Sequence, residues 1–511
     1  MRRDYEFKTI PYPHQETAFN VSRDEKEFAL LMDMGTGKSK VIIDTAAWQY
    51  QNGRITALVV VAPNGVHQNW IDNELPAHMP DWTQYRAAAW SSTMTVAERR
   101  AFDALFTPGD GLRVIAMNVE AFGRGGVKGK AGKALRAILN SFPTLLAIDE
   151  STRIKSPGAG RSATLMHLGK HAKMRRIATG SPVVNRPLDV YQQFKFLGAH
   201  LLGFGDYESF RCRYAEWDTQ KNWKTGKEYQ TLRSYTRLDE LHNNIYKHSY
   251  RVTKDQCLKL PPKQYLPPRT FSMTAEQQRI YNELREKSIA TLPSGSEAIA
   301  KNVLVRLLKL QQVTCGYVST DAEEPVESLF ADPRDNPRIK AMLQHVEECQ
   351  GKVIIWSRFV RDIETIKALL EEEYPGEGVV TYYGAVKDAD RVVARERFQG
   401  ERALRDADGN VIGKEPIPPH EQARFFVGQP HSGGIGLTLT AAHHVLYYSN
   451  DYSLEARLQS EDRPHRIGLE HSVDYCDLLC PGTGDAKIIK ALVDKKELAD
   501  IITGDNARTW L

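Results

Sequence analysis

Three groups of residues in this chain have types and spacings suited to chemistry. The first is Met34-Gly35-Thr36-Gly37-Lys38-Ser39, which follows a short apolar run at 27–32 and opens a helical stretch at 40–47. Glycines between a strand and a helix let backbone N–H groups curl around a phosphate, and the helix N-terminus adds positive potential. Gly35, Thr36 and Gly37 would form that cradle. Lys38 would neutralise the outer phosphates of a nucleoside triphosphate, and the Ser39 hydroxyl would ligate Mg²⁺. The first glycine of the strict phosphate-loop pattern is missing, since the residues there read Met32-Asp33-Met34.

The second group is an acidic pair. Leu145-Leu146-Ala147-Ile148 reads as a buried strand that ends in Asp149-Glu150. A carboxylate at a strand tip can hold Mg²⁺ while its neighbour polarises the attacking water, which assigns Asp149 to the metal and Glu150 to the base. The third group is Arg463 and Arg466. Two arginines three apart on a helix project from one face, and across a cleft they would reach a γ-phosphate as arginine fingers do.

These groups need elements to hold them. Apolar runs that read as buried parallel strands alternate with helical stretches, at 28–32, 57–62, 113–117, 145–148 and 176–178. The pattern repeats at 353–356, 379–382, 424–427, 444–448 and 473–478. Strands separated by helices predict two α/β domains with parallel sheets, and ligands in such sheets lie beyond the carboxyl ends of the strands. The stretch 190–310 reads as mostly helical, punctuated by Pro261-Pro262 and Pro267-Pro268. Residues 404–412 read as a small hairpin around Asp408-Gly409. The division this predicts is a first nucleotide-binding lobe over 1–200 and a helical insertion over 201–265. A linker with a helical protrusion follows over 266–335, and a second lobe over 336–511.

Composition narrows the class without choosing a partner. Of 511 residues, 41% are hydrophobic and 26% charged, which excludes a disordered chain. A net charge of +4 neither requires nor forbids nucleic acid. The six cysteines are scattered without paired zinc-ligand spacing, and Cys476 and Cys480 are expected as free buried thiols. The first residues lack an apolar leader and no run approaches a membrane span. A reducing, cytoplasmic setting is the expectation, in a bacterial or phage-infected cell, with no membrane partner.

With those residues in place, a family resemblance becomes specific. Asp149-Glu150-Ser151-Thr152-Arg153-Ile154-Lys155 resembles helicase motif II of the Swi/Snf-type group of superfamily two, with Thr152 where the family has His. Ala178-Thr179-Gly180-Ser181-Pro182 is similar to motif III, and Val61-Ala62-Pro63 with Gln68-Asn69-Trp70 to motif Ia. Met117-Asn118-Val119-Glu120 is similar to motif Ib, and Tyr12-Pro13-His14-Gln15 to the adenine-reading segment. In the second half, 353–359 resembles motif IV, 433–442 motif V and 459–468 motif VI, with Pro464 in place of Ala. Tyr250-Arg251-Val252-Thr253-Lys254 resembles the segment joining the two lobes.

The resemblance implies two tandem RecA-like domains and an ATP hydrolase using Mg²⁺, with Gln15 on the base of ATP. It further implies nucleic-acid contacts from Asn69, Trp70, Asn118, Arg358, Gly433 and Gly434. The expected activity is a monomeric DNA translocase moving along or remodelling duplex or forked DNA, with replication or recombination proteins as further partners. An unwinding or strand-annealing helicase is the alternative within the fold. A nucleotide-switched DNA-binding scaffold with weak hydrolysis is the alternative outside it. No further module is visible, so a nearly bare motor core is expected.

Overall fold

The structure is a computed structural model that describes residues 5–503 apart from 65, 222–225, 295–296, 301, 321–325, 406–410 and 433–436. The chain separates into two compact units. One holds residues up to 259 together with the C-terminal stretch beginning at Lys495, and the other begins at Leu260.

In the first unit the apolar runs become β1 (Glu27–Met32), β2 (Ala57–Ala62), β3 (Tyr85–Trp90), β4 (Leu112–Asn118), β5 (Thr144–Asp149) and β6 (Met174–Ala178). All pair in parallel in the order β3-β4-β2-β5-β6-β1, and the strand Ser249–Val252 adds to the free side of β1. Every residue of β2 and of β5 is buried, as parallel strands covered on both faces require. Leu30, Met32, Leu58 and Val60 pack with Ile42, Ala46 and Trp48 into one core cluster. Those last three belong to α2 (Lys38–Gln51), the helix that follows the glycine loop.

The second unit repeats the plan. Its main sheet runs in the order 263–265, 473–479, 442–447, 352–356, 425–428, 379–382, and the short strand 269–270 also pairs with 473–479. These pairs are parallel. Alternation along the central strand Lys352–Trp356 splits the core in two. Val353 and Ile355 join one cluster, and Ile354 and Trp356 the other. The fold is two tandem RecA-like α/β domains.

Several expectations are corrected. The region 201–265 is not a helical insertion alone: helix Tyr207–Tyr214 leads into the antiparallel hairpin Ala215–Lys221/Glu228–Tyr235, and helix Leu238–Tyr246 leads into the sheet strand Ser249–Val252. The stretch 266–310 likewise carries a small strand pair, Ile289–Thr291 with Glu297–Ile299. The hairpin expected at 404–412 pairs Glu401–Arg405 with Val411–Pro416, and its turn falls outside the described residues. Among the described residues no helix is long and apolar enough to cross a membrane. All six cysteines are free, with Cys476 and Cys480 buried.

Candidate nucleotide and nucleic-acid site

The phosphate loop leaves the carboxyl end of β1. Gly35 and Gly37 hold φ of +77° and +90°, conformations that favour glycine, and Gly37 caps α2. A Cβ on Gly37 would lie 2.1 Å from Gln15 Nε2, so any larger residue there would also displace the Gln15 amide. The Lys38 ammonium is buried and donates to the carbonyl oxygens of Met32 (2.9 Å) and Asp33 (3.2 Å). Thr36 donates through its hydroxyl to the same Asp33 carbonyl, at 2.7 Å. Ser39 is half-buried in the first turn of α2.

Gln15, expected on the base, lies on α1 (Pro13–Ser22), and both ends of its amide are engaged. Its Nε2 donates to Thr36 O at 3.1 Å and its Oε1 accepts from the Tyr12 N–H at 3.1 Å. His14 Nε2 donates to the same Thr36 oxygen at 2.8 Å. The helix that carries Gln15 is therefore tied to the glycine loop after β1.

Asp149 ends β5 and is 6% exposed. Burial pushes its carboxyl pKa up, opposed by the Lys38 charge, by the Trp70 indole N–H on Oδ2 (3.0 Å) and by the Glu150 N–H on Oδ1 (3.0 Å). Glu150 is 3% exposed and has φ +49°, left-handed backbone that a non-glycine residue adopts only when its surroundings impose it. Thr179 reaches Glu150 Oε2 at 3.5 Å and also accepts from the Ser181 N–H at 3.2 Å. Ser151 donates to Gln193 Oε1 at 2.7 Å, and Gln193 Nε2 donates to Pro182 O at 2.8 Å. Motif II and motif III are thus joined through Thr179 and through Gln193, a residue that sequence reasoning passed over.

Sequence reasoning also left Arg251 without a role. From the strand beside β1, its Nη1 donates to Leu31 O and to Gly180 O, each at 3.0 Å, and its Nη2 pairs with Asp33 Oδ1 at 3.0 Å. The Lys254 N–H donates to Asp33 Oδ2 at 3.0 Å. Asp33, where the loop departs from the strict pattern, is therefore the anchor of the loop. The motif Tyr250–Lys254 signalled the segment but not its target.

The nucleic-acid candidates fare unevenly. Trp70 is 1% exposed and supports Asp149, so it has no surface to offer a phosphate. It begins a widened turn, Trp70–Glu74, within the helical run 66–78. Asn69 bonds Glu74 (3.3 Å) and Asn73 (2.8 Å). Asn118 caps the turn after β4 through the Glu120 N–H (2.7 Å) and donates to Asn64 (2.9 Å). Arg358 donates to Gln311 Oε1 at 2.7 Å. Gly433 and Gly434 lie outside the described residues.

In the second unit the helix Leu454–Glu461 stops before the arginines, so Arg463 and Arg466 do not project from one helical face as expected. Pro464 disfavours helical backbone at the residue before it, and the chain turns from Asp462 onward. Arg463 is 3% exposed, lies 4.8 Å from the Trp356 ring centroid and donates to Pro430 O at 2.7 Å. Burial pushes its guanidinium down to about 10. Arg466 is half-buried and reaches Thr438 Oγ1 at 3.3 Å and Asp462 O at 3.2 Å.

The turn is braced from below. Arg457, over the Tyr447 ring, pairs with Glu461 (2.7 Å) and with both oxygens of Asp477 (2.6 and 3.0 Å). Lys263 pairs with Asp462 at 3.0 Å, and the Tyr265 hydroxyl donates to Glu461 at 2.9 Å.

Comparison with known proteins decides the family. The SNF2-related domain matches residues 12–317, more than half of the chain. The chain belongs to the SNF2-related family. It is 24% identical over 521 aligned residues to YwqA of Bacillus subtilis, which carries the name of an ATP-dependent helicase/translocase; the match covers 99% of this chain and 50% of that protein. Human ZRANB3, named a DNA annealing helicase and endonuclease, is 23% identical across 94% of this chain and 39% of its own. The CHD3-type chromatin-remodeling factor CHR7 of Arabidopsis thaliana is 23% identical across 94% of this chain and 36% of its own. The SNF2-related chain thus spans half or less of the length of these relatives. Among solved structures, the Sulfolobus solfataricus SWI2/SNF2 ATPase core in complex with dsDNA shares 20% identity with a TM-score of 0.41, covering 99% of this chain and 96% of that one.

Proposed function

We propose that this SNF2-related chain is an ATP hydrolase that couples turnover to movement along, or remodelling of, double-stranded or forked DNA. The observation that carries the reading is the Asp149-Glu150 pair. One carboxylate is buried, with Lys38, Trp70 and a backbone N–H opposing the upward push of burial on its pKa, while its neighbour is imposed in left-handed backbone beside Thr179. That arrangement separates a metal-holding acid from a base, which a purely structural ion pair does not need.

In the mechanism, the loop N–H groups and Lys38 bind the phosphates. Ser39 and Asp149 are hard oxygen donors that fit Mg²⁺, which when bound would neutralise charge on the outer phosphates. Glu150 orients the attacking water and accepts its proton. Gln193 and Thr179 pass the state of that site to the motif III turn. Arg466 and Arg463 are assigned to charge stabilisation at the γ-phosphate, with closure of the two lobes on ATP as the stroke. Contacts to phosphate rather than to bases make the movement independent of sequence. We further place the protein in a reducing, cytoplasmic compartment, in keeping with its free thiols.

The test is ATP turnover at low salt with duplex, forked and single-stranded DNA and with RNA in parallel. Stimulation by duplex or forked DNA is expected, and turnover indifferent to all four would sink the reading. Glu150→Gln should lower turnover by about 100-fold or more while leaving ATP binding intact.

A further inference from the structure

The cations of this chain are unevenly distributed. Residues 121–188 contain thirteen Lys and Arg against two acids, Asp149 and Glu150, so this stretch carries +11 in a chain of net +4. Both acids are buried, so the surface that the stretch contributes carries no carboxylate of its own. Some of its cations serve the fold. Arg175 pairs with Glu27 at 2.7 Å, and buried Arg176 donates to backbone carbonyls including Glu25 O at 2.7 Å. Arg124, Lys128, Lys130, Lys133 and Arg136 do not: all five are exposed, and none makes an ion pair among the described residues. Lys130 reaches only Ser92 O, at 3.5 Å.

The ribbon that carries the first three of these is tightly built. It leaves the carboxyl end of β4 through the turn Val119–Gly123 and folds back onto the start of helix Lys130–Ser141. A Cβ on Gly129 would meet Arg124 O at 2.2 Å, and one on Gly132 would meet Gly126 O at 2.5 Å and Val127 O at 2.7 Å. Gly125 and Gly126 have φ of +72° and +55°. Thr164, on helix Gly160–Gly169, ties the ribbon down by donating to Phe122 O at 3.3 Å. Both of these helices carry cations and no acid in their first turns, Lys130 and Lys133 in one and Arg161 in the other. Cations at helix N-termini oppose the helix dipole, so this placement works against stability unless an anionic partner offsets it.

We infer that Arg124, Lys128 and Lys130, flanked by Lys133 and Arg161, form the surface of the first lobe that takes the phosphodiester backbone of duplex DNA. The inference rests on the DNA reading proposed above and moves its main lobe-one contacts away from Trp70, Asn69 and Asn118, whose polar atoms are engaged internally. The ribbon lies on the same edge of the parallel sheet as the phosphate loop, because both follow strand carboxyl ends. Lys170 and Lys173 precede β6 and so lie on the opposite edge, which makes them a control for positive charge lost away from the ribbon.

The experiment measures binding of the full chain to a labelled duplex between 50 and 200 mM salt. The variants are Arg124→Ser/Lys128→Ser/Lys130→Ser and Lys170→Ser/Lys173→Ser, with ATP affinity recorded as the check on folding. Each lost phosphate contact lowers the slope of log K against log salt by about 0.9, so the triple variant should lose about 2 to 3 from the wild-type slope. The control should lose less than one contact's worth, and both variants should bind ATP as the wild type does. A triple variant with the wild-type slope, or a control that loses as much, overturns the inference while leaving the DNA reading intact. If the triple variant keeps its DNA slope but loses binding to polyglutamate, the surface belongs to an acidic polypeptide instead. A wild type that fails to bind duplex at 50 mM salt overturns the DNA reading itself, and the inference with it.

Discussion

In the first unit Lys38 is held by carbonyl oxygens at the end of β1 and the start of its own loop, five and six residues away in the chain. In the second, Arg463 lies against the Trp356 ring, and the turn that bears it stands on charges drawn from Lys263, Arg457 and Asp477. The first arrangement is mostly local, a strand tip, a glycine turn and a helix start, clamped at Asp33 by the distant Arg251. The second is global, because moving the arginine turn means reopening a buried ionic network. The candidate phosphate loop thus has one distant clamp and room to adapt around it, whereas the arginine turn is fixed by several.

That contrast can be broken from the rigid side first. Arg457→Met removes the ion pair of Asp477 and leaves buried Glu461 to Lys263 and Tyr265 alone, and should cost about 3–5 kcal/mol of stability by urea titration. A loss below about 1 kcal/mol would show that the network is not what fixes the turn.

A smaller effect concerns pH in the same unit. Asp362 is buried and accepts from Ser357 Oγ at 2.8 Å; burial pushes its carboxyl from 3.8 up to about 6. The folded chain therefore binds more protons there than the unfolded chain between pH 4 and 6, and stability falls as pH rises through that window, by about 3 kcal/mol. His345 acts in the opposite sense, because burial pushes its ring from 6.5 down to about 4, so protonation on acidification favours the unfolded chain. Asp362→Asn should remove the first trend and leave stability rising with pH from 4 to 6.5. A urea midpoint for Asp362→Asn that still falls across pH 4–6 would contradict the assignment.

The smallest effect sharpens the adaptable side. Arg251→Ala frees Asp33 and the loop from Gly180, and should weaken ATP binding by about tenfold, near 1.4 kcal/mol. Arg251→Lys should recover part of that affinity through the ion pair while still losing the two carbonyl contacts. Equal affinity in both variants would remove Arg251 from the positioning of the loop.

Much of this architecture was legible in residue order. The runs at β1, β2, β4, β5 and β6 are apolar enough to be strands under any tertiary arrangement, and so are their counterparts at 352–356 and 425–428. β3 was not legible: Tyr85-Arg86-Ala87-Ala88-Ala89-Trp90 favours helix by local propensity, and only pairing with β4 makes it a strand. The hairpin at 215–235 alternates aromatic and Thr residues with charges in a region that reads as polar helix. At the site, Lys38 and Asp149 could be assigned from neighbours in sequence. The role of Trp70 could not, since its partner Asp149 lies 79 residues away, and Arg251 is 218 residues from Asp33. The helical register assumed for Arg463 and Arg466 failed at Pro464, where the missing amide and the restricted preceding residue end the helix.

The strand Ser249–Val252 bears on how the protein is made. β1 leaves the ribosome well before the strand on its outer side, which is synthesised more than 200 residues later. Until then β1 presents an open edge of unpaired amide and carbonyl groups, the geometry that recruits stray strands during synthesis. The same late strand brings the arginine that anchors Asp33. Nascent chains halted before position 249 should therefore be aggregation-prone, with the loop at Asp33 still lacking its arginine clamp.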